Sequence, residues 1–574
     1  MKNEILNSKK IGLNGNRIHI KVEIPRKLYW ADKLGLLIMA DVPNSWGEPD
    51  EAMRKEWEVA MRGLIDRDYN HPAIFQWVLF NETWGLFTTV NKEKKQRRYL
   101  PETQKWVADM YHLAKQLDPS RLVEDNSACN YDHVVTDINS WHAYLPGYKW
   151  KDFLDKAVDS TFDGSGWNYI GQNKQGIEPM INSECGNVWG YTGSTGDVDW
   201  SWDYHIMMNE MRLHPKVAGW LYTEHHDVIN EWNGYYKFDR TNKFTGLEDI
   251  VPGMTLNDLH SYVYVATRGD LCRSVKTGET VTVPLYTSFL TDDDLGNTLY
   301  LRTELVGWDK LGRFGQYSSG VKNVQYQPWS FNDLESLQVK MPDKPGLAIL
   351  RLTLENAAGK ALHHNFVSFV VEGKLPLPAS PNGEEQNLNI VTFKPSSFTS
   401  SDWSQKQWNV LGGLKVNGAG SGYFEYQVQI PANVDLSKVN SITFMFEASA
   451  KQLFGKDRSD AKSMAGDYMR GGGTFDNSRN PNSYPMTDEF KYPSAVSVKV
   501  NGIATGTWFL EDDPADHRGI LSWFSQPKDN KLYEAGSYGY LVKTTVPLKA
   551  IDPASRTMNI RLEVDKSVPG GLAI

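Results

Sequence analysis

Two glutamates close apolar runs in a way that would suit them to acid–base and nucleophilic chemistry. The run Asn70-His71-Pro72-Ala73-Ile74-Phe75-Gln76-Trp77-Val78-Leu79-Phe80 stops abruptly at Asn81-Glu82, before Thr83-Trp84-Gly85. The shorter run Glu178-Pro179-Met180-Ile181-Asn182-Ser183 stops at Glu184, followed by Cys185-Gly186, and glycine permits a sharp exit from a strand. Taken singly, each glutamate reads as a solvated or capping group. At the carboxyl ends of two different buried strands they read as the carboxyl pair that cleaves a glycosidic bond.

Such strands need a scaffold, and the first 268 residues alternate helical patterns with short apolar runs, the rhythm of βα units. Seven runs qualify as strands: Asn16–Val22, Leu36–Val42, Ala73–Phe80, Arg121–Asp125, Ile138–Trp141, Pro179–Asn182 and Val217–Tyr222. Helices are expected over Glu51–Asp66 and Glu102–Leu117, and Asn3–Ile11 reads as the helix that follows a strand. A closed barrel of this type has eight strands, so the expectation is a (β/α)8 TIM-type barrel lacking its first strand. An open seven-strand barrel would leave two strand edges unpaired, which suggests a piece of a longer protein.

Helical periodicity stops near Arg268, and β-rich runs follow at Thr280–Phe289, Thr298–Val306, Glu335–Lys340, Gly346–Glu355 and Asn365–Val371. The expected organisation is a catalytic barrel over 1–268, an immunoglobulin-like sandwich over 269–373, a Pro/Gly/Ser linker over 374–390 and a larger, galactose-binding-like or jelly-roll sandwich over 391–574. The last region carries runs at Gly422–Ile430, Ser441–Ser449, Ala495–Val500, Tyr540–Val546 and Met558–Val564 around a Gly/Asn-rich insert. Trp403, Trp408, Trp508 and Trp523, with the segment Asp512–Gly519, could form a carbohydrate-binding face, although packing aromatics and a charged turn are the favoured reading.

Composition narrows the partners. Across 574 residues, 61 basic and 70 acidic side chains give a net charge of −9 without a basic stripe, so nucleic acid is not expected. The run Lys92–Arg98 includes a glutamate and reads as a solvated loop entering a helix. Arg470-Gly471-Gly472-Gly473-Thr474 lacks the Lys-Ser/Thr of a phosphate loop, so no nucleotide cofactor is expected. Three separated cysteines, Cys129, Cys185 and Cys272, give neither a metal pattern nor a disulfide framework. No run is long enough for a signal sequence or a membrane span. If a leader belongs to a longer parent, the natural setting would be periplasmic or extracellular. Oligomeric state is not legible.

The segment Arg67-Asp68-Tyr69-Asn70-His71-Pro72 leading to Asn81-Glu82 resembles the acid/base signature of glycoside hydrolase family 2, and Ser183-Glu184-Cys185-Gly186 resembles its nucleophile strand. Asn16-Arg17-Ile18-His19 and Tyr29–Pro43 are similar to that family's second and third barrel strands, so the resemblance covers roughly residues 3–240. It implies a barrel with β-sandwich domains that hydrolyses terminal β-linked sugars with retention, without a metal or other cofactor in the chemistry. Glu184 would be the nucleophile and Glu82 the general acid/base. The acid role requires a protonated carboxyl, for which the charge of Glu184 and burial beside Trp77 or Trp84 would be the means.

By the same resemblance Asn81 would bond the sugar 2-hydroxyl, and His142 and Tyr144 would contact sugar and nucleophile, with a structural histidine an equal alternative at His142. His19, Asp41 and Asn126 end other runs and would either line the pocket or tie loops to the barrel rim. Trp220 and Glu224 belong to the polar eighth strand end, Gly219–Asp227. There the sequence departs from better-known members: Thr223 stands where they have a tryptophan platform. Asn230–Tyr236 offers no lysine at Asn-x-Lys spacing, which disfavours a glucuronidase. The expected activity is a retaining exo-β-glycosidase, β-galactosidase-like by default. A non-catalytic carbohydrate-binding protein is the alternative.

Overall fold

The computed structural model describes residues 1–145, 147–186, 200–201, 203–228, 233–243, 245–373, 388–410, 413, 415–451, 492–511 and 540–574. All seven expected strands of the amino-terminal region are present: β1 (Gly15–Ile18), β2 (Leu37–Asp41), β3 (Ile74–Val78), β4 (Leu122–Glu124), β5 (Asn139–Ala143), β6 (Met180–Cys185) and β7 (Val217–Tyr222). Helices α1 (Lys2–Lys10), α2 (Pro25–Leu34), α3 (Glu51–Asp68), α4 (Pro101–Leu117), α5 (Trp150–Ser160) and α6 (Asp203–Leu213) alternate with them. Strands β1 to β4 form one parallel sheet and β5 to β7 a second.

The helix boundaries follow local chemistry. Pro25 and Pro101 open α2 and α4, where a missing N–H costs nothing. Asp50 caps α3, accepting from Met53 N–H at 2.8 Å. The helices turn Trp57, Met61, Leu64, Ile65, Val107 and Ala114 onto the outer faces of β1 to β4, where Ile38, Ala40, Ile74, Trp77 and Val123 complete one core. The expected first strand ran on to Val22, whereas β1 ends at Ile18 because the chain turns at Ile20, which has φ +45°. The basic run Lys92–Arg98 forms the turn and second arm of an exposed hairpin pairing Thr88–Asn91 with Gln96–Arg98, not a simple loop.

The first β region contains two sheets that pack over one core, one of three strands and one of five. The strand Val263–Thr267, assigned from sequence to the barrel segment ending at 268, pairs antiparallel with Thr280–Phe289 and so belongs to this β region. Cys272–Lys276 and Phe314–Gln325 are further strands not foreseen; the second is mostly exposed, without the apolar alternation that signals a strand.

The last region contains a five-stranded, a three-stranded and a two-stranded sheet around a third core. Trp403 packs on Phe424 and Trp508 lies against the same core, in keeping with a packing role. Trp408 is half-buried with Lys406 Nζ 5.6 Å from its ring centre. Trp523, Asp512–Gly519, the Gly-rich segment 470–474 and most of the 374–390 linker lie outside the described residues. No helix among the described residues is long and apolar enough to cross a membrane.

Candidate active site

After β3 the backbone makes an unusual corner. Glu82 and Thr83 both have left-handed backbones, φ +50° and +61°, which non-glycine residues adopt only under constraint. Constraint is supplied from the loop after β4. Glu82 N–H donates to Ser127 O at 2.9 Å and Thr83 N–H to Asn126 Oδ1 at 3.0 Å. Thr83 Oγ1 bonds Asp132, and Asn126 Nδ2 reaches Asp132 Oδ1 at 3.0 Å. On the other side Asn44, bonded to Val42 O and Leu79 O, accepts Asn81 N–H at 2.6 Å. Asn126 therefore holds the Glu82–Thr83 corner from beneath, the loop-tying alternative of its two readings.

A register shift re-aims β6. Trp141 pairs with Asn182 and His142 with Glu184, so Ser183 is an extra residue in β6, and such bulges redirect side chains at strand ends. Ser183 Oγ lies 2.7 Å from Ser127 Oγ. The chain then leaves through Gly186 at φ +152°, where a Cβ would lie 2.9 Å from Thr223 O. The glycine expected to permit a sharp exit does so.

Glu82 and Glu184 meet over His142. Its Nδ1 is 2.7 Å from Glu82 Oε1 and 3.6 Å from Glu184 Oε2, and its Nε2 is 2.8 Å from Ser127 Oγ. One ligand atom from each of Glu82, His142 and Glu184 falls within 4.8 Å of the others. That triad has the donors for a cation, but Arg17 Nη1 already stands 3.3 Å from Glu184 Oε2, and a fixed positive charge there opposes a second one.

Arg17 is the residue the sequence reading missed. It is nearly buried and forks onto Asp41, with Nε 3.1 Å from both carboxylate oxygens and Nη2 2.7 Å from Oδ2. Nη2 also donates to Asn81 Oδ1 at 2.7 Å, and Nη1 to Ser183 O at 3.3 Å. With Asn81 Oδ1 taken by Arg17, its buried Nδ2 has no hydrogen-bond partner among the described residues. The signal was available: a lone arginine in the strand Gly15-Asn16-Arg17-Ile18, with Asp41 ending the adjacent strand.

Burial works to raise the Glu184 carboxyl, but His142, Arg17, His19 and the Tyr144 hydroxyl outweigh it and hold the group below the usual glutamate range. Tyr144 OH donates directly to Glu184 Oε1. Glu184 is thus kept as a carboxylate, with 16% of its side chain exposed to the pocket.

The structure brings Asn81, His19, Asp41, His142 and Tyr144 around the two glutamates, His19 through Nδ1 at 3.7 Å from Asp41 Oδ2. Trp220 sits elsewhere: its ring stacks on the Arg212 guanidinium at 5.3 Å and approaches His260, in the packing behind β7. Glu224 is half-buried just after β7, its carbonyl accepting from Tyr235 N–H at 3.0 Å. Trp77 is fully buried with its indole N–H on Asp118 at 2.9 Å, so of the two tryptophans expected beside Glu82 this one belongs to the helix-facing core.

Residues 1–233 match the description "Glycosyl hydrolases family 2, TIM barrel domain", so this region is similar to the barrel domain of glycoside hydrolase family 2. A "Putative beta-glucuronidase" of Formosa agariphila is 30% identical over 160 residues, 26% of this chain and 18% of that protein. Beta-galactosidase BgaC of Bifidobacterium adolescentis is 26% identical over 189 residues, 29% of this chain and 16% of that protein. The matched stretches thus span less than a fifth of these relatives' lengths. A crystal structure of Bacteroides uniformis beta-glucuronidase aligns with 100% of this chain and 62% of its own at 13% identity and a TM-score of 0.38, a likeness too slight to carry an argument.

Proposed function

We propose that this chain is the active-site portion of a retaining exo-β-glycosidase, with Glu184 as nucleophile and Glu82 as general acid/base. The observation that carries the reading is the carboxylate pair over His142, with oxygens within 4.8 Å of each other. A retaining pair stands about 5–5.5 Å apart and an inverting pair about 6.5–9.5 Å, so the spacing favours direct attack by carboxylate over attack by an intervening water.

In the first step a Glu184 oxygen attacks the anomeric carbon, the bond from that carbon to the leaving oxygen breaks, and Glu82 gives its proton to that oxygen. In the second, Glu82 takes a proton from water, the water oxygen attacks the anomeric carbon, and Glu184 departs as carboxylate. Arg17 and Tyr144 hold the nucleophile charged and oriented. Asn81, its Oδ1 engaged by Arg17, keeps a buried Nδ2 that is unpartnered among the described residues and would reach the sugar 2-hydroxyl by a small side-chain movement, a bond that tightens as positive charge develops on the ring.

Relatives named beta-glucuronidase and beta-galactosidase support a β-glycoside as the substrate. No lysine follows Asn230 at uronate-binding spacing, and β-galactosides are therefore the first substrates to try.

The test is incubation with a panel of 2-deoxy-2-fluoro β-glycosides followed by intact-mass and peptide mapping. An adduct on Glu184, absent in Glu184→Gln, is the expected result. Glu82→Ala should slow cleavage by about 10²–10⁴-fold for poor leaving groups and much less for activated aryl glycosides. Folded protein that gives no adduct with any sugar, or full turnover in either variant, overturns the assignment and favours carbohydrate binding without catalysis.

A further inference from the structure

Two tryptophans at the pocket mouth are not used by the mechanism above. Trp46, in the loop after β2, stacks on Trp84 with ring centres 4.0 Å apart and planes at 30°, yet Trp46 remains 73% exposed. Trp84 follows Glu82 by two residues, and its ring meets His19 edge-on at 5.7 Å. His19 in turn lies 3.7 Å from Asp41, so the aromatic pair is continuous with the Arg17–Asp41–Glu184 network.

The pair is held by built features. Asn44, two residues before Trp46, is bonded into the backbone at both β2 and β3. Ser45 Oγ accepts Gly47 N–H at 2.9 Å, fixing the turn that carries Trp46. Gly85, at φ +74°, lets the turn approach: a Cβ there would lie 2.9 Å from Ser45 O. A large aromatic surface held this firmly and left in water calls for a ligand.

We infer that Trp46, backed by Trp84, is a stacking platform for a pyranose ring in the leaving group, so that the substrate is the end of an oligosaccharide or polysaccharide and not a glycoside of a small alcohol. The inference rests on the glycosidase reading above. Glu82 protonates the leaving oxygen, so the leaving group lies on the Glu82 side, where Trp84 and Trp46 stand. An indole face suits the axial C–H groups of a sugar, and a flat apolar platform binds such a ring with little demand on its hydroxyl pattern.

The experiment compares kcat/KM for a β-glycosyl fluoride, which has no leaving-group sugar, with kcat/KM for β-linked disaccharides and longer oligosaccharides of the same terminal sugar. In Trp46→Ala the ratio of oligosaccharide to fluoride should fall about ten- to thirtyfold, and Trp46→Tyr should recover most of it. A ratio unchanged in Trp46→Ala, or a wild-type chain that takes the fluoride but no oligosaccharide of the panel, overturns the platform while leaving the glycosidase intact. Folded wild-type protein that is not trapped by any 2-fluoro glycosyl fluoride overturns the glycosidase reading, and the platform with it.

Discussion

Replacing Arg17 by Gln tests whether one buried guanidinium sets both the charge of Glu184, the proposed nucleophile, and the integrity of the pocket. In the folded chain its Nη1 is 3.3 Å from Glu184 Oε2, and at an effective dielectric of about 20 a unit-charge pair at that distance is worth about 5 kcal/mol before relaxation. Glutamine keeps some hydrogen bonding and water will enter the space, so a net loss of about 2–3 kcal/mol, or about 30- to 150-fold in kcat/KM, is expected. Glu184 acts as a carboxylate and its folded pKa is depressed, so activity falls as pH drops through that value. Losing Arg17 raises it, and the acid limb of the kcat/KM profile should move to higher pH. Asp41, 1% exposed and now without its partner, should destabilise the region; Arg17→Gln with Asp41→Asn should recover part of that loss. The assay is the pH profile on whichever aryl β-glycoside the panel identifies, beside urea unfolding of wild type, both single variants and the double. A kcat/KM within about threefold of wild type and an unmoved acid limb would refute the reasoning.

Two further outcomes are expected. Burial alone would lower His133, but Asp125 Oδ1 at 2.6 Å outweighs it and pushes the imidazole up to about 9. The folded value exceeds the unfolded one of about 6.5, so this stabilisation, on the order of 3 kcal/mol, is fully present below about pH 6.5 and lost as pH rises through about 9. The thermal midpoint of wild type should therefore exceed that of His133→Gln most at pH 6 and least at pH 10, and a gap independent of pH would count against the pair. Gly186→Ala places a Cβ 2.9 Å from Thr223 O and 3.1 Å from Tyr222 Cε2. The chain should still fold by circular dichroism, while displacement of Glu184 slows 2-fluoro glycoside trapping by about ten- to a hundredfold.

The strand order of the amino-terminal region was readable because parallel strands are apolar on both faces and end at turn residues, as the runs around Ile74–Val78 and Met180–Cys185 do. The two glutamates stood out for the same reason, as charges terminating apolar text. What sequence could not convey was side-chain direction. Gln76 faces Glu124 in the interior, so Trp77, its neighbour, must face the helices. Alternation counted back from Glu82 puts Phe80 on the interior face with Gln76, whereas Phe80 stacks on Trp57 in the helix-facing core. Arg17 was passed over because an isolated arginine ordinarily lies on the surface; only its pairing with Asp41, on the neighbouring strand, marks it as interior. The strand Val263–Thr267 was assigned to the wrong side of a boundary because five apolar-biased residues carry no sign of which sheet they will join.

One core ignores that boundary. The cluster containing Ile11, Trp141, Met180, Met208, Leu256 and Leu259 continues without interruption into Leu347, Ile349, Phe366 and Val370 of the five-stranded sheet in the first β region. Polar ties follow the same seam: His205 Nε2 is 2.8 Å from Asn365 Oδ1, and Arg351 Nε donates to Ile250 O at 2.8 Å. The sheet that carries Glu184 and the β region are consequently one packed body. Recombination that exchanges one for a homologous segment would have to exchange the other, or carry matching changes on both sides of the seam, so specificity can diversify by loop variation at the mouth far more readily than by shuffling domains beneath it.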